Sequence, residues 1–255
     1  MITDLEAIRL RVAQHPRWYH RIELGPGFTT PGVHDSPAAL AQLDALGLPA
    51  DCRGLRVLDV GCRDGFFAFE LERRGATVVG LDYAEPTATG FAIAAEILGS
   101  HVEYVVDNVY NLSSERYGTF DLALFLGVLY HLRNPMLALD RVRGVVKPGA
   151  ALWVETQMTP NAALASLVEP IWQLFPRDTL YGDATNKWAP NAAGLRCALE
   201  ECEFGVLRLE CASDRAWVQA EAVVDPHLQY FRSLDSGTGL GGESGSKAPR
   251  RPGGA

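Results

Sequence analysis

From Arg56 to Thr156 the chain alternates short, continuous apolar runs with stretches of helical spacing. The runs at 56–60, 77–81, 102–106, 120–126 and 150–155 predict strands buried on both faces, because such strands show no polar alternation. Helical patterns fit between most of them, clearest over 66–73, 87–98 and 135–146. Parallel strands need crossover connections, so repeated strand, helix, strand order predicts a doubly wound α/β sheet, mostly parallel, with helices on both faces.

The flanks follow other patterns. Two helical patches, 5–12 and 38–46, surround an aromatic segment, 18–32, whose prolines and glycines predict a loop. After Thr156 the pattern predicts a helical insertion at 162–174, an aromatic loop through Tyr181 and Trp188, and a helix over 192–202. Two apolar runs, 205–209 and 216–224, then close the sheet as an antiparallel C-terminal hairpin. The expected organisation is an N-terminal helical lid segment (1–50), a main domain (51–231) with a helical insertion at about 157–203, and a disordered Gly/Ser-rich tail (232–255).

Composition narrows the function. The 255 residues are 47% hydrophobic and 21% charged, which excludes a wholly disordered chain. A net charge of −8 provides no basic field for nucleic acid. No apolar run is long enough to span a membrane and the N-terminus lacks a secretory pattern, so a cytoplasmic protein is expected. The five cysteines lack zinc-ligand spacing and read as reduced, with no metal expected.

Ligands of open α/β sheets bind beyond the carboxyl ends of the strands. After the first predicted strand stands Asp59-Val60-Gly61-Cys62-Arg63-Asp64-Gly65, a tight turn that lets a ligand approach the backbone beside a helix N-terminus. A nicotinamide fingerprint needs GxGxxG, and Arg63 with the Gly61 to Gly65 spacing breaks it. Asp82 ends the second strand, where a carboxylate accepts both hydroxyls of a ribose. Asp107-Asn108 ends the third, suited to an adenine edge or to a plain turn. The fourth strand leads into Leu126-Gly127-Val128-Leu129-Tyr130-His131 and the fifth ends at Glu155-Thr156.

These motifs, in this order, resemble the class I S-adenosylmethionine-dependent methyltransferases over roughly residues 50–225. Within them the chain is most similar to the group related to the tRNA wobble-uridine carboxymethyltransferase, through Gly127-Val128-Leu129-Tyr130-His131 with Pro135, and Trp18-Tyr19-His20 leading to Thr30-Pro31-Gly32. The resemblance implies a Rossmann-like methyltransferase sheet and S-adenosyl-L-methionine as cofactor. It implies that Asp59, Gly61 and Gly65 hold the methionine end, Asp82 and Tyr83 the ribose side, Asp107 and Asn108 the adenine, and that Leu126 walls the site. Tyr130 would face the sulfonium and the substrate. Two residues depart from the pattern: Arg63 replaces the family's middle glycine, its side chain expected to point outward, and Leu24 replaces the tRNA enzyme's lysine for a carboxylated cofactor. Leu24 argues for the ordinary cofactor, while Arg215 matches an arginine that group places near it.

Methyl transfer is an in-line displacement that needs alignment, exclusion of water and, for a poor nucleophile, a base. The candidates are His131, Glu155, His20 and His34. For His131 the alternative is a bond to its own loop, and for Glu155 a turn cap. Trp18, Tyr19, His20, Tyr181 and Trp188, with Phe28 and Trp172, form either a substrate lid or ordinary core. The reading is a methyltransferase for a small, partly apolar or aromatic biosynthetic intermediate, with a tRNA-modifying enzyme and a non-catalytic cofactor-binding scaffold as alternatives.

Overall fold

The structure, a computed structural model, describes residues 2–226 and Leu228. The expected tail lies outside the described residues. An N-terminal part carries α1 (Leu5–Val12), a short ladder of β1 (Glu23–Gly25) and β2 (Phe28–Thr29), and α2 (Ser36–Ala45). The main part follows as β3 (Arg56–Val60), α3 (Phe66–Arg73), β4 (Thr77–Asp82), α4 (Phe91–Leu98), β5 (Glu103–Val106), α5 (Ser114–Tyr117), β6 (Phe120–Leu126), α6 (Pro135–Arg143) and β7 (Val146–Gln157). Then come α7 (Ala162–Ala165), β8 (Trp172–Leu174), β9 (Trp188–Pro190), α8 (Ala192–Glu201), β10 (Phe204–Ala212) and β11 (Arg215–Ala222).

Seven strands form one sheet in the order β10-β11-β7-β6-β3-β4-β5. β7, β6, β3, β4 and β5 pair in parallel, while β11 runs antiparallel to β7 and to β10. This is the doubly wound α/β sheet with its C-terminal hairpin. Side chains alternate across it. Val57, Leu122, Leu124 and Trp153 pack with Leu43 of α2 and with Phe67 and Leu71 of α3. Leu58, Val60, Ala123, Phe125 and Val154 pack on the other face with Leu139 and Val142 of α6 and with Leu195 and Leu199 of α8. Among the described residues no helix is long and apolar enough to cross a membrane.

Several boundaries differ from the sequence pattern. The helix expected over 87–98 begins only at Phe91, where the Gly90 N–H donates to Asp64 Oδ1 and not to a carbonyl one turn earlier; Gly90 also packs against Trp18, and a Cβ there would lie 2.3 Å from the indole. The helix expected to run to 146 ends at Arg143, and β7 starts at Val146. Val146 pairs with Phe120 and Ala151 with Leu122, so Lys147–Ala150 bulges from the ladder. The insertion is largely not helical: α7 has four residues, and the segment expected to finish that helix becomes β8, paired with β9. Backbone pairing with Trp188–Pro190 outweighs the local helical spacing. The aromatic N-terminal segment, expected as loop, holds the β1–β2 ladder and a bridge between His20 and His34.

Candidate active site

The sheet's switch point lies between β3 and β6, where successive strands turn to opposite sides. There the two loops nearly touch: Gly61 has φ +77°, and a Cβ on it would lie 2.3 Å from Val128 Cγ2. Gly65 has φ +92° and faces Phe69 and Phe91 with no room for a side chain. Arg63 between them also has positive φ, 49°, so it takes the backbone shape a glycine would take. Its side chain is exposed, and its guanidinium lies 4.9 Å over the ring of Tyr19.

The strand-end carboxylates stand in a row. Asp59 is buried, and its Oδ2 has no hydrogen-bond partner. Burial, with the Asp82 charge added, pushes its carboxyl up to about 7. Asp82, also buried, accepts from the backbone N–H of Arg63 and of Ala84, each at 2.9 Å. An orphaned buried carboxylate oxygen above a glycine cradle fits a cationic amino group, and Asp82 keeps acceptor capacity for hydroxyls. The chemistry of these residues fits S-adenosylmethionine, whose cationic amino group would take an acceptor such as Asp59 and whose ribose hydroxyls would take one such as Asp82. Tyr83 is exposed beside them and Leu126 half-buried at the end of β6. Asp107 is engaged by Asn111, Tyr117 and Arg116, and Asn108 caps the turn at Tyr110, so both serve their own loop.

A second group lies at the ends of β6, β7 and β11. Glu155 is buried, with Arg215 Nη1 3.1 Å from its Oε1. Desolvation outweighs that arginine and raises the carboxyl to about 6. The same guanidinium lies 5.0 Å over the ring of Tyr130. Tyr130 is buried, and burial raises its phenol. Burial lowers His131, whose Nδ1 is 3.0 Å from Thr185 Oγ1. Tyr19 belongs to the same group, because Tyr130, Arg215 and Glu155 all act on its phenol after burial.

Tyr19 stacks on His34, ring centroids 5.1 Å apart, and meets His20 edge-on. His20 is almost fully buried with Nδ1 unpartnered, and burial, ahead of His34 and Arg63, holds it well below the usual histidine range. That leaves it neutral. Trp18 is elsewhere: it is core, packed with Ile8 and Phe91, its Nε1 donating to the Val12 carbonyl at 3.1 Å. The indole therefore contributes to packing and not to a substrate wall. Tyr181 is exposed and faces Asp214, while Trp188 meets Trp172 edge-on, its Nε1 buried without a partner.

The sequence pattern did not single out Asp64, Asp183 or Thr185. Asp64 accepts from the backbone N–H of Tyr19, His20 and Gly90, which pins the N-terminal segment to the loop after β3. Its only sequence signal is a carboxylate inside the glycine turn. A broad groove lined by Ile22, Leu24, Leu40, Phe66, Phe69 and Ile97 lies elsewhere and includes none of the strand-end carboxylates.

Residues 58–154 match a family model described as a methyltransferase domain. The ubiquinone biosynthesis O-methyltransferase of Xanthomonas oryzae pv. oryzae (strain PXO99A) is 32% identical over 62% of this chain and 67% of its own length. The same-named protein of Hahella chejuensis (strain KCTC 2396) is 32% identical over 64% and 70%. Among solved structures, the N-terminal domain of EvdMO1 with SAH and D-fucose covers 88% of this chain and 98% of its own, at TM-score 0.62 and 23% identity. A Burkholderia thailandensis 1,6-didemethyltoxoflavin-N1-methyltransferase aligns over 74% and 77%, at TM-score 0.56 and 19% identity. The finer likeness to the tRNA wobble-uridine group is not what these relatives carry.

Proposed function

Because the chain belongs to the class I S-adenosylmethionine-dependent methyltransferases and uses S-adenosyl-L-methionine, we propose that it methylates a hydroxyl of a small, partly apolar or aromatic biosynthetic intermediate. The observation that carries this reading is the grouping of Tyr19, Tyr130, His131, Glu155 and Arg215 beside the strand-end carboxylates. The names of the O-methyltransferase relatives and the net charge of −8 support the same reading.

When bound, the cofactor supplies a methyl group on a sulfonium whose positive charge vanishes as the methyl moves in line to the acceptor. The chain's own residues do the rest. Tyr19 and Tyr130 supply flat apolar walls with polar tips for an aromatic or partly apolar acceptor. We assign the exclusion of water to the N-terminal segment, tied down by Asp64, and to the insertion between β7 and α8, which bonds the turn of Tyr130 and His131. His131 and Glu155 are the base candidates. His131 is held neutral by its lowered pKa, and Glu155, raised to about 6, is ionised at pH 7, so each accepts a proton there.

The test exposes the purified protein with radiolabelled S-adenosylmethionine to two pools, total tRNA and a small-molecule extract of the source cells. Label entering the extract is the expected result. Label in tRNA overturns the small-acceptor reading, and label in neither with retained cofactor affinity leaves a non-catalytic scaffold.

A further inference from the structure

The turn carrying Tyr130 and His131 is braced by the segment leading into β9. Lys187 N donates to the Tyr130 carbonyl at 2.8 Å. Thr185 Oγ1 lies 3.0 Å from His131 Nδ1 and 2.7 Å from Asp183 Oδ1, and Thr185 N donates to that same carboxylate oxygen at 2.8 Å. These contacts decide which histidine nitrogen holds the proton. An ionised carboxylate only accepts, and a threonine hydroxyl has one proton to give. Asp183 is held below the usual carboxylate range by its bonds from Thr185, so it is ionised at neutral pH and takes that proton. The Thr185 lone pair then faces His131, and the atom it meets must be an N–H. A neutral imidazole carries one N–H, so the lone pair is on Nε2.

We propose that Asp183 and Thr185 are positioning residues that hold His131 as the Nδ1–H tautomer, leaving Nε2 to take the proton of the acceptor hydroxyl. This rests on the reading of His131 as base. The groups facing the ring fit the task. Burial, Arg215 and Arg63 oppose its charging, Asp183 and the Thr185 backbone favour it, and the Tyr130 ring packs at 4.0 Å. The ring is thus neutral before reaction. As the acceptor O–H breaks, its proton goes to Nε2 and an oxygen electron pair forms the bond to the methyl carbon. The methyl's former bonding pair stays on sulfur. The resulting imidazolium keeps its Nδ1–H on Thr185, with the Asp183 charge behind it. The proton then leaves to solvent.

The tautomer is read without any acceptor, by long-range nitrogen–proton NMR on protein with labelled histidine, saturated with S-adenosylhomocysteine; His131→Gln assigns the signal. The expected result is Nδ1–H for His131 in the native protein. Thr185→Val, which keeps the shape and removes the acceptor, shifts it toward the Nε2–H form that free imidazole prefers; Thr185→Ser keeps Nδ1–H. Asp183→Asn lowers the ring's titration midpoint. A native Nε2–H ring, or a Thr185→Val ring unchanged in tautomer, overturns the proposal. With the small-molecule extract as acceptor source and radiolabelled S-adenosylmethionine as donor, Thr185→Val is expected to lose about tenfold or more in turnover, with KM for the cofactor unchanged and activity restored by Thr185→Ser. Full turnover in His131→Gln removes the base reading, while the spectra still decide the tautomer.

Discussion

Asp64 Oδ2 accepts the backbone N–H of Tyr19 at 2.6 Å, joining the loop after β3 to a segment 45 positions earlier in the chain. The same oxygen takes the His20 N–H, and Oδ1 takes that of Gly90. One buried carboxylate thus fixes where the Tyr19 ring stands relative to the cofactor cradle. Asp64→Ala leaves three backbone donors without their acceptor. It is expected to cost about 3 kcal/mol or more by the usual worth of hydrogen bonds to a charged group, read as a lower midpoint in urea. Faster proteolysis of residues 13–34 than of the sheet accompanies it.

We propose that Asp59, placed at the amino group of the cofactor, couples its binding to pH. With its carboxyl at about 7, it holds a proton at pH 6, and a cationic amino group placed on Oδ2 expels it. S-adenosylhomocysteine is therefore expected to bind more tightly at pH 8 than at pH 6 and to release protons near pH 7. Calorimetry in two buffers of different ionisation enthalpy measures this. Affinity that is flat across that range contradicts the placement.

We propose a separate role for Asp82, at the ribose. Asp82→Ala is expected to weaken binding of S-adenosylhomocysteine by roughly 1.5–3 kcal/mol, the range for hydrogen bonds to a charged group. Unchanged affinity would mean that the ribose is held elsewhere.

Glu155 sets a stability that depends on pH. Its folded value, about 6, lies above the ordinary 4.5, so its contribution is fully present below 4.5 and lost as pH rises through 6. Glu155→Gln stays neutral throughout. The variant is expected to be more stable than the native protein at pH 8, by up to about 2 kcal/mol, and equal to it near pH 4. Thermal melts across that range give the comparison.

At the switch point, Gly61→Ala forces a Cβ into Val128 at a φ that side chains avoid. We expect a loss of at least about 2 kcal/mol, combining strain and overpacking. Adding Val128→Ala recovers the packing part only. Full recovery in the double variant would show that the left-handed backbone costs nothing there.

The parallel strands and the carboxylates at their ends were legible because both are local. Strands buried on two faces must be continuously apolar, and β3, β4 and β6 stand where such runs occur, with Asp59 and Asp82 at their ends. The insertion was not legible. Residues 162–174 have helical spacing, yet Trp172–Leu174 pairs with a segment 14 or more positions away in sequence. Trp18 reads like a lid aromatic beside Tyr19, but a gap over Gly90 takes it into the core.

The sequence alone determined the doubly wound sheet and the methyltransferase family likeness, because strand periodicity and strand-end motifs are written in consecutive residues. Only the tertiary structure decided what stands opposite the cradle. Arg215 reaches Glu155 across the β7–β11 seam, where Glu155 pairs with Trp217 and its diagonal neighbour is Arg215. Asp64 meets Tyr19, and Asp183 and Thr185 meet His131, through contacts between segments far apart in the chain. Such contacts follow from how packed layers bring loops together, and no short window of sequence contains both partners.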